Sequence, residues 1–232
     1  MPERHGGTTA RIIFDIETLG LPIESFDEAR RAYLLKSAET EHARETEIQK
    51  LSLSPLTARI VAIGMLNPET MAGKVLYQSP NQERSGPDER NIEYHAGNEE
   101  QIVRQFWDDV RHYDQFITFN GRSFDCPFIM LRSAMLSIPP TRNLMPYRYD
   151  SSVHCDLLDQ LTFYGAVRRF NLDFYCKSFG IKSPKSEGVS GLDIGPMFRE
   201  GRFKEIAQYC AGDVIATAEL FRKWDGFINI KA

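Results

Sequence analysis

One ten-residue stretch near the start of the chain limits what the whole can fold into: Arg11-Ile12-Ile13-Phe14-Asp15-Ile16-Glu17-Thr18-Leu19-Gly20. Its apolar residues suit a strand covered on both faces, with Ile12, Phe14 and Ile16 on one side and Ile13 on the other. Side chains alternate along a strand, so Asp15 and Glu17 project on the same face as Ile13. Two neighbouring carboxylates at the edge of an apolar core repel each other and lose solvation, and they need a cation to stay charged there. A hard divalent ion with oxygen ligands, magnesium or manganese, is the natural partner. The same residues also fit an Asp and a Glu facing water in a loop just past a strand. This stretch alone does not choose between the two.

The chain of 232 residues is long enough for one sizeable domain. No apolar run is long enough to span a bilayer, and Met1 to Ala10 lacks the apolar core of a secretory signal, so a cytoplasmic location away from membranes is expected. Cys126, Cys155, Cys176 and Cys210 are far apart and form no C-x-x-C pair. They read as reduced core residues rather than a zinc site or a disulfide frame. The net charge of -4 gives no general sign of nucleic-acid binding. It does not exclude it either, because a site that gathers metal ions carries its own positive charge.

Past Gly20-Leu21-Pro22, the stretch from Glu24 to about Lys50 is rich in charge and helix formers but poor in amphipathicity. It predicts a solvated helix or helix pair, an insertion over about 24–57 between two strands. Further strands are expected at Arg59–Leu66, Lys74–Tyr77, Phe116–Phe119 and Val153–Leu157, the first two of these joined by a short antiparallel turn at Asn67-Pro68. Gln78 to Asn91, rich in Pro, Ser, Gly and charge, reads as a mobile loop. Asn98 with Gln101 three residues on predicts a capped helix that buries Ile102, Val103, Phe106, Trp107 and Val110. Other helices are expected from about Phe124 to Leu136 and from about Phe203 to Trp224. A strand meander followed by alternating strands and helices points to an α/β layered domain with a mixed sheet.

Two more acidic positions stand out. Asp125 follows Asn120-Gly121-Arg122-Ser123-Phe124 at the end of a strand, where ligands of open α/β sheets collect. It equally fits an Asp placed in the first turn of a helix by the macrodipole, with Ser123 as the cap. Asp213 lies in the middle of an inward helix face marked by Ile206, Cys210, Thr217 and Leu220, and Tyr209 is one turn before it on nearly the same side. A carboxylate on such a face has to find a metal, an arginine or several donors.

Taken in order, Asp15-Ile16-Glu17, then Asn120 through Phe124-Asp125, then Tyr209-Cys210-Ala211-Gly212-Asp213 resemble the three exonuclease motifs of the DEDD superfamily. The Tyr-x-x-x-Asp form resembles the DEDDy branch. Tyr94 to Leu136 is similar to the proofreading exonuclease domain of family-B DNA polymerases. The whole chain, from Ile12 to Phe221, resembles the predicted stand-alone 3′–5′ exonucleases related to that domain. No polymerase module follows, so proofreading in cis is not expected. The charged insertion is longer than a proofreading domain leads one to expect. The resemblance implies one RNase H-like domain over 1–232, α/β, with a mixed five-stranded sheet, one antiparallel edge region and flanking helices. It also implies two divalent ions, Mg²⁺ or Mn²⁺, about 4 Å apart, and in-line hydrolysis at a 3′ end of single-stranded nucleic acid, DNA favoured. Asp15, Glu17 and Asp213 would hold the first ion. Asp15 would bridge to the second, which Asp125 would support, partly through water. Tyr209 would orient the attacking water, since a free tyrosine pKa of about 10 disfavours it as the base. Thr18 and Leu19 would touch the terminal nucleotide, Leu19 as an apolar wedge or else as a plain turn residue. Asn120 and Phe124 would line the path of the strand.

Some residues stay outside that set. His154 and Asp156 share a strand face and read as an ordinary strand pair or as an added ligand. Arg142, Arg148, Arg168, Arg169, Lys177, Lys182 and Lys185 make the latter half locally basic, with Tyr147, Tyr149, Phe163, Tyr164, Phe170 and Phe174 interleaved. Such a mix suits a single-strand groove. The expectation is that some of the arginines line it while most of these aromatics belong to the core. Rival functions are an RNA exonuclease of the same superfamily, because DNA and RNA differ at 2′-OH contacts, a catalytically silent nucleic-acid-binding module, and a metal-dependent phosphatase of unrelated fold.

Overall fold

The structure is a computed structural model that describes residues 9–183, 188 and 190–230. Its centre is β1 (Arg11–Gly20), bonded antiparallel to β2 (Ala58–Leu66) on one side and parallel to β6 (Gln115–Thr118) on the other. β3 (Gly73–Gln78), β4 (Arg84–Ser85), β5 (Ile92–Gly97) and β7 (His154–Asp156) complete a mixed sheet in the order β4-β5-β3-β2-β1-β6-β7.

The alternation of β1 sorts its side chains into two apolar layers. Ile12, Phe14 and Ile16 pack with α3 (Glu99–Val110) and α4 (Asp125–Met135), where Phe14 meets Phe106 edge to face. Ile13 belongs to the opposite layer, built on α8 (Phe203–Phe227). The start of α3 is fixed by a reciprocal cap: Asn98 Oδ1 accepts from Gln101 N–H at 2.9 Å and Gln101 Oε1 from Asn98 N–H at 2.8 Å. The four cysteines are buried and unpaired.

The sheet has seven strands, not five. The two additional strands, β4 and β5, lie in and just after the stretch expected to be a loop. Ile92 and Tyr94 of β5 are buried while Glu93 and His95 are partly open, an alternation that was present in the sequence but short and polar. Pairing makes it a strand, parallel with β3 on one side and antiparallel with β4 on the other. The loop before it is tied down as well: Tyr94 donates its hydroxyl proton to Asp88 Oδ2 at 2.8 Å, and Arg90 Nη2 donates to that hydroxyl at 2.7 Å.

Between β1 and β2 the chain forms α1 (Glu28–Leu34) and α2 (Glu41–Lys50), capped by Asp27 and Thr40. Neither helix buries a residue; a small cluster of Ile23, Phe26 and Leu51 seats the pair on the domain. Leu21 N–H donates to Thr57 O at 2.8 Å, which closes the excursion at its base. Among the described residues, no helix is long and apolar enough to cross a membrane.

Candidate active site

The site is built where β1 ends. Asp15 lies opposite Gly64 in the β1–β2 register, and Glu17 opposite Ala62. A Cβ on Gly64 would meet Val214 Cγ1 at 2.9 Å and Cys210 Sγ at 3.0 Å. The bare glycine therefore lets α8 lie close on the sheet, which carries Tyr209 and Asp213 to the side of Asp15 and Glu17. The pairing shifts by a bulge between Glu17 and Thr18, which re-aims the last residues of the strand.

Asp125 reaches the same place from the other side. It is the first residue of α4, and its Oδ1 accepts from the backbone N–H of Ile16 at 3.0 Å. The loop ahead of it turns through Asn120, which has a positive φ of 64°. Asp156 holds that loop: its carboxylate accepts from Asn120 N–H and Arg122 N–H at 2.9 Å each and from Leu158 N–H at 3.0 Å. His154 is buried between Thr118 Oγ1, 2.9 Å away, and Leu144 O, 3.1 Å away. Burial pushes its pKa down to about 3, so it is neutral, donating from Nδ1 to the carbonyl and accepting from the threonine hydroxyl. Asp156 and His154 thus support the site from behind, and neither lines the cleft.

That cleft, about 460 Å³, is lined by Asp15, Glu17, Asp125, Tyr209 and Asp213, with Asn120 and Phe124 on its wall. Thr18 and Leu19 are placed elsewhere. They line an adjoining groove of about 800 Å³ between the α1–α2 segment and α7 (Ile194–Arg199), and Thr18 Oγ1 donates to Ser52 O at 2.8 Å. The threonine hydroxyl therefore faces the inserted segment, not the carboxylates. The cleft also gathers Phe170, one of the aromatics read with the basic residues, and Phe119, Leu158, Asn171 and Asp173, which the sequence did not mark as site residues. Asn171 caps α6 (Leu172–Ser178) by accepting from Phe174 N–H, with Asp173 in its first turn. In sequence that is an ordinary capped helix start, with no sign of a cleft.

The carboxylates strain against one another. Burial, then the charges of Asp125, Asp213 and Glu17, raise the Asp15 pKa well above its ordinary value. Burial pushes Asp125 up to about 7 despite the hydrogen bond from Ile16. Tyr209 is pushed further up by burial and by Asp213, Glu17 and Asp15, so its hydroxyl stays protonated and acts as a donor. The carboxylate oxygens of Asp15 and Glu17 lie within 4.8 Å of each other and of Cys210 Sγ. That thiol donates to the Asp15 carbonyl at 3.7 Å, and its soft sulfur is a poor ligand for a hard cation. What remains is an oxygen-only donor set under mutual repulsion, which fits a hard divalent cation.

The basic and aromatic residues of the latter half are arranged differently from expectation. Tyr147 is 74% exposed, Tyr149 59%, Phe163 60% and Phe174 50%, so these rings are not core. The backbone at Tyr147 is anchored by Arg122, which donates to Pro146 O and Tyr147 O. Arg142 lies apart, its guanidinium over Phe116 and donating to Asp114 O. Lys177 pairs with Asp173, and Lys185 lies outside the described residues.

Taken together, the mixed α/β sheet with an acidic cleft at the end of its central strand defines a class, and comparison with known proteins narrows it. Residues 57–227 match the family described as predicted 3′–5′ exonuclease related to the exonuclease domain of PolB, and the chain belongs to that family. A stretch of 90 residues is 29% identical to DNA polymerase 1 of Sulfurisphaera ohwakuensis, covering 32% of this chain and 10% of the polymerase. The fold is similar to the family B DNA polymerase from the hyperthermophilic archaeon Pyrobaculum calidifontis, with a TM-score of 0.57 and 14% identity. That likeness covers 96% of this chain and 25% of the polymerase.

Proposed function

We propose that this chain is an RNase H-like, metal-dependent 3′–5′ exonuclease that hydrolyses the terminal phosphodiester of single-stranded nucleic acid, DNA favoured. The observation that carries the proposal is the convergence of Asp15, Glu17, Asp125 and Asp213, from three separate elements, on one open cleft beside Tyr209. Asp15, Glu17 and Asp213 would hold one divalent ion, and Asp15 with Asp125, the latter partly through water, would hold a second. Two such ions supply a nucleophilic water and neutralise the charge of the departing oxygen. Asp125, tied by one oxygen to Ile16 N–H, keeps the other free for the cleft. Tyr209 donates a hydrogen bond to the water and does not take its proton, because its field keeps it protonated. Asn120 and Phe124 border the entering strand.

The test is digestion of 5′-labelled single-stranded DNA and RNA with Mg²⁺ or Mn²⁺. A ladder that shortens from the 3′ end, is stopped by EDTA and runs faster on DNA is expected. Equal digestion with EDTA present sinks the mechanism. Faster digestion of RNA overturns the sugar preference alone.

A further inference from the structure

We infer that the exposed aromatic face formed by the 147–149 and 163–174 segments is a stacking platform for the part of a single-stranded substrate that lies 5′ of the cleaved phosphate. It rests on the reading of the carboxylate cleft as the place where the 3′ end is hydrolysed. The face begins at the cleft itself, where Phe170 is a lining residue. Phe170 stacks flat on Phe174, with ring centroids 4.1 Å apart and planes 9° from parallel, and the Arg168 guanidinium lies 4.9 Å from the Phe170 ring centre. A hub then carries the face onward. Asp159 is buried and accepts from Arg169 Nη2 at 3.2 Å and from Arg148 Nη2 at 2.6 Å, which bridges the two segments. Beyond Arg148, Tyr149 packs on Tyr164 at 4.7 Å and on Tyr147 at 5.6 Å.

Three features point to a nucleic-acid strand as the occupant. Charge comes first: Arg148, Arg168 and Arg169 outnumber Asp150 and Asp159, and Asp173 is matched by Lys177, so the face carries a small positive excess beside an acidic cleft. That suits phosphates leading into a metal-holding site. Second, the large rings of Tyr147, Tyr149, Phe163 and Phe174 stand exposed, and bases have faces that stack on such rings whatever the sequence. Third, Phe163 and Tyr164 both sit in the left-handed region, at φ 48° and 58°, where bulky residues are rarely found. Hydrogen bonds from their N–H groups to Gln160 O and Asp159 O hold them there. Backbone strain of this kind is kept where a ring must be presented in a set direction. A duplex keeps its bases stacked on one another, so the platform selects unpaired strands.

The test is binding of labelled DNA and RNA oligonucleotides, about three and about twelve nucleotides long, by fluorescence anisotropy with EDTA present. Wild type is expected to bind the longer strand at least about tenfold more tightly, in keeping with the worth of one stacked base. Tyr147→Ala/Tyr149→Ala should lose that gain. Tyr147→Phe/Tyr149→Phe, which keeps the rings, should retain it. Arg168→Gln should make the slope of log affinity against log salt shallower by about 0.7. Wild type with no gain on the longer strand overturns the platform and leaves the face to a protein partner; so does a double alanine variant, folded by thermal melting, that keeps the gain. A gain on DNA and RNA alike supports a platform blind to the sugar, and a gain on one alone assigns the platform to that nucleic acid. Wild type that shows the gain yet releases no nucleotide with Mn²⁺ supports the platform and counts against the exonuclease reading only.

Discussion

Asp125 Oδ1 accepts a hydrogen bond from the backbone N–H of Ile16 at 3.0 Å. The donor stands between Asp15 and Glu17 in the chain, so this bond locks α4 to the acidic end of β1. It also separates two roles of Asp125. Asn at this position can still accept from Ile16 N–H, while its charge is gone. Asp125→Asn is expected to hold or raise the melting temperature in EDTA, because the buried charge is gone, and to lose on the order of 10²-fold or more in cleavage rate. Asp125→Ala should lose both. Melting curves and single-turnover rates for the two variants check this, and normal cleavage by Asp125→Asn removes the residue from the catalytic set.

Asp213 and Tyr209, one turn apart on α8, should separate in a similar way. Asp213→Asn keeps size and loses charge, so it should weaken Mn²⁺ binding and nearly abolish turnover. Tyr209→Phe keeps the packing and removes the hydroxyl to which we assign the orienting of water. Metal and oligonucleotide binding should survive while the rate falls by on the order of 10²-fold, mainly in kcat. Calorimetric metal titration alongside single-turnover cleavage reads both. If Tyr209→Phe loses metal as badly as Asp213→Asn, the tyrosine is structural.

Acidity should act on stability and on metal affinity in opposite senses. Asp125 titrates at about 7 in the folded chain against 3.8 ordinarily, so between those values the folded state holds a proton that the unfolded chain has lost. The sign follows: in EDTA the contribution is full below 3.8 and is lost as pH rises through 7, and Asp15 acts in the same direction. Metal ligation needs ionised carboxylates, so Mn²⁺ should raise the melting temperature more at about pH 8 than at about pH 5. Activity should climb over the same range. Melts with EDTA or Mn²⁺ across pH check it, and an equal Mn²⁺ gain at both ends counts against these carboxylates as ligands.

Gly64 predicts a packing cost. Its Cβ would press on Val214 and Cys210 of α8. Gly64→Ala should lose about 1–3 kcal/mol of stability, the usual cost of overpacking. It should also lower cleavage, because α8 carries Tyr209 and Asp213. Chemical denaturation and cleavage assays test the pair; a variant as stable and active as wild type shows that the helix yields freely.

Asp156 is expected to matter without touching substrate. Asp156→Ala leaves three backbone N–H groups of the loop and α5 (Leu157–Leu161) without their acceptor. A loss of about 1–3 kcal/mol for each group left buried and unpaired makes this the more damaging change, and Asp156→Asn, which keeps one acceptor oxygen, the milder one. Denaturation midpoints in that order support the role; equal midpoints for wild type and Asp156→Ala refute it.

Much of the fold is legible because burial leaves a pattern. Ile12, Phe14 and Ile16 alternate with Ile13 as a doubly covered strand requires, and they do divide between the two cores. The Asn98–Gln101 cap is likewise local chemistry, readable from two residues. β5 was not readable, because six residues with Glu93 and His95 among them become a strand only by pairing with β3 and β4. Asn171 and Asp173 read as a helix start, and only the packing of α6 on α8 brings them to the cleft.

The sequence by itself determined which residues carry charge in apolar surroundings: Asp15 and Glu17 on a buried strand and Asp213 on an inward helix face. Those are properties of local periodicity, and periodicity survives in one dimension. Tertiary structure alone decided that Asp125 is bonded to Ile16, that Thr18 turns its hydroxyl to Ser52, and that Tyr147 and Tyr149 stand in water. Each of these depends on what a segment distant in the chain does. A ring or hydroxyl has the same chemistry buried or exposed, and only the neighbours brought by folding settle which it will be.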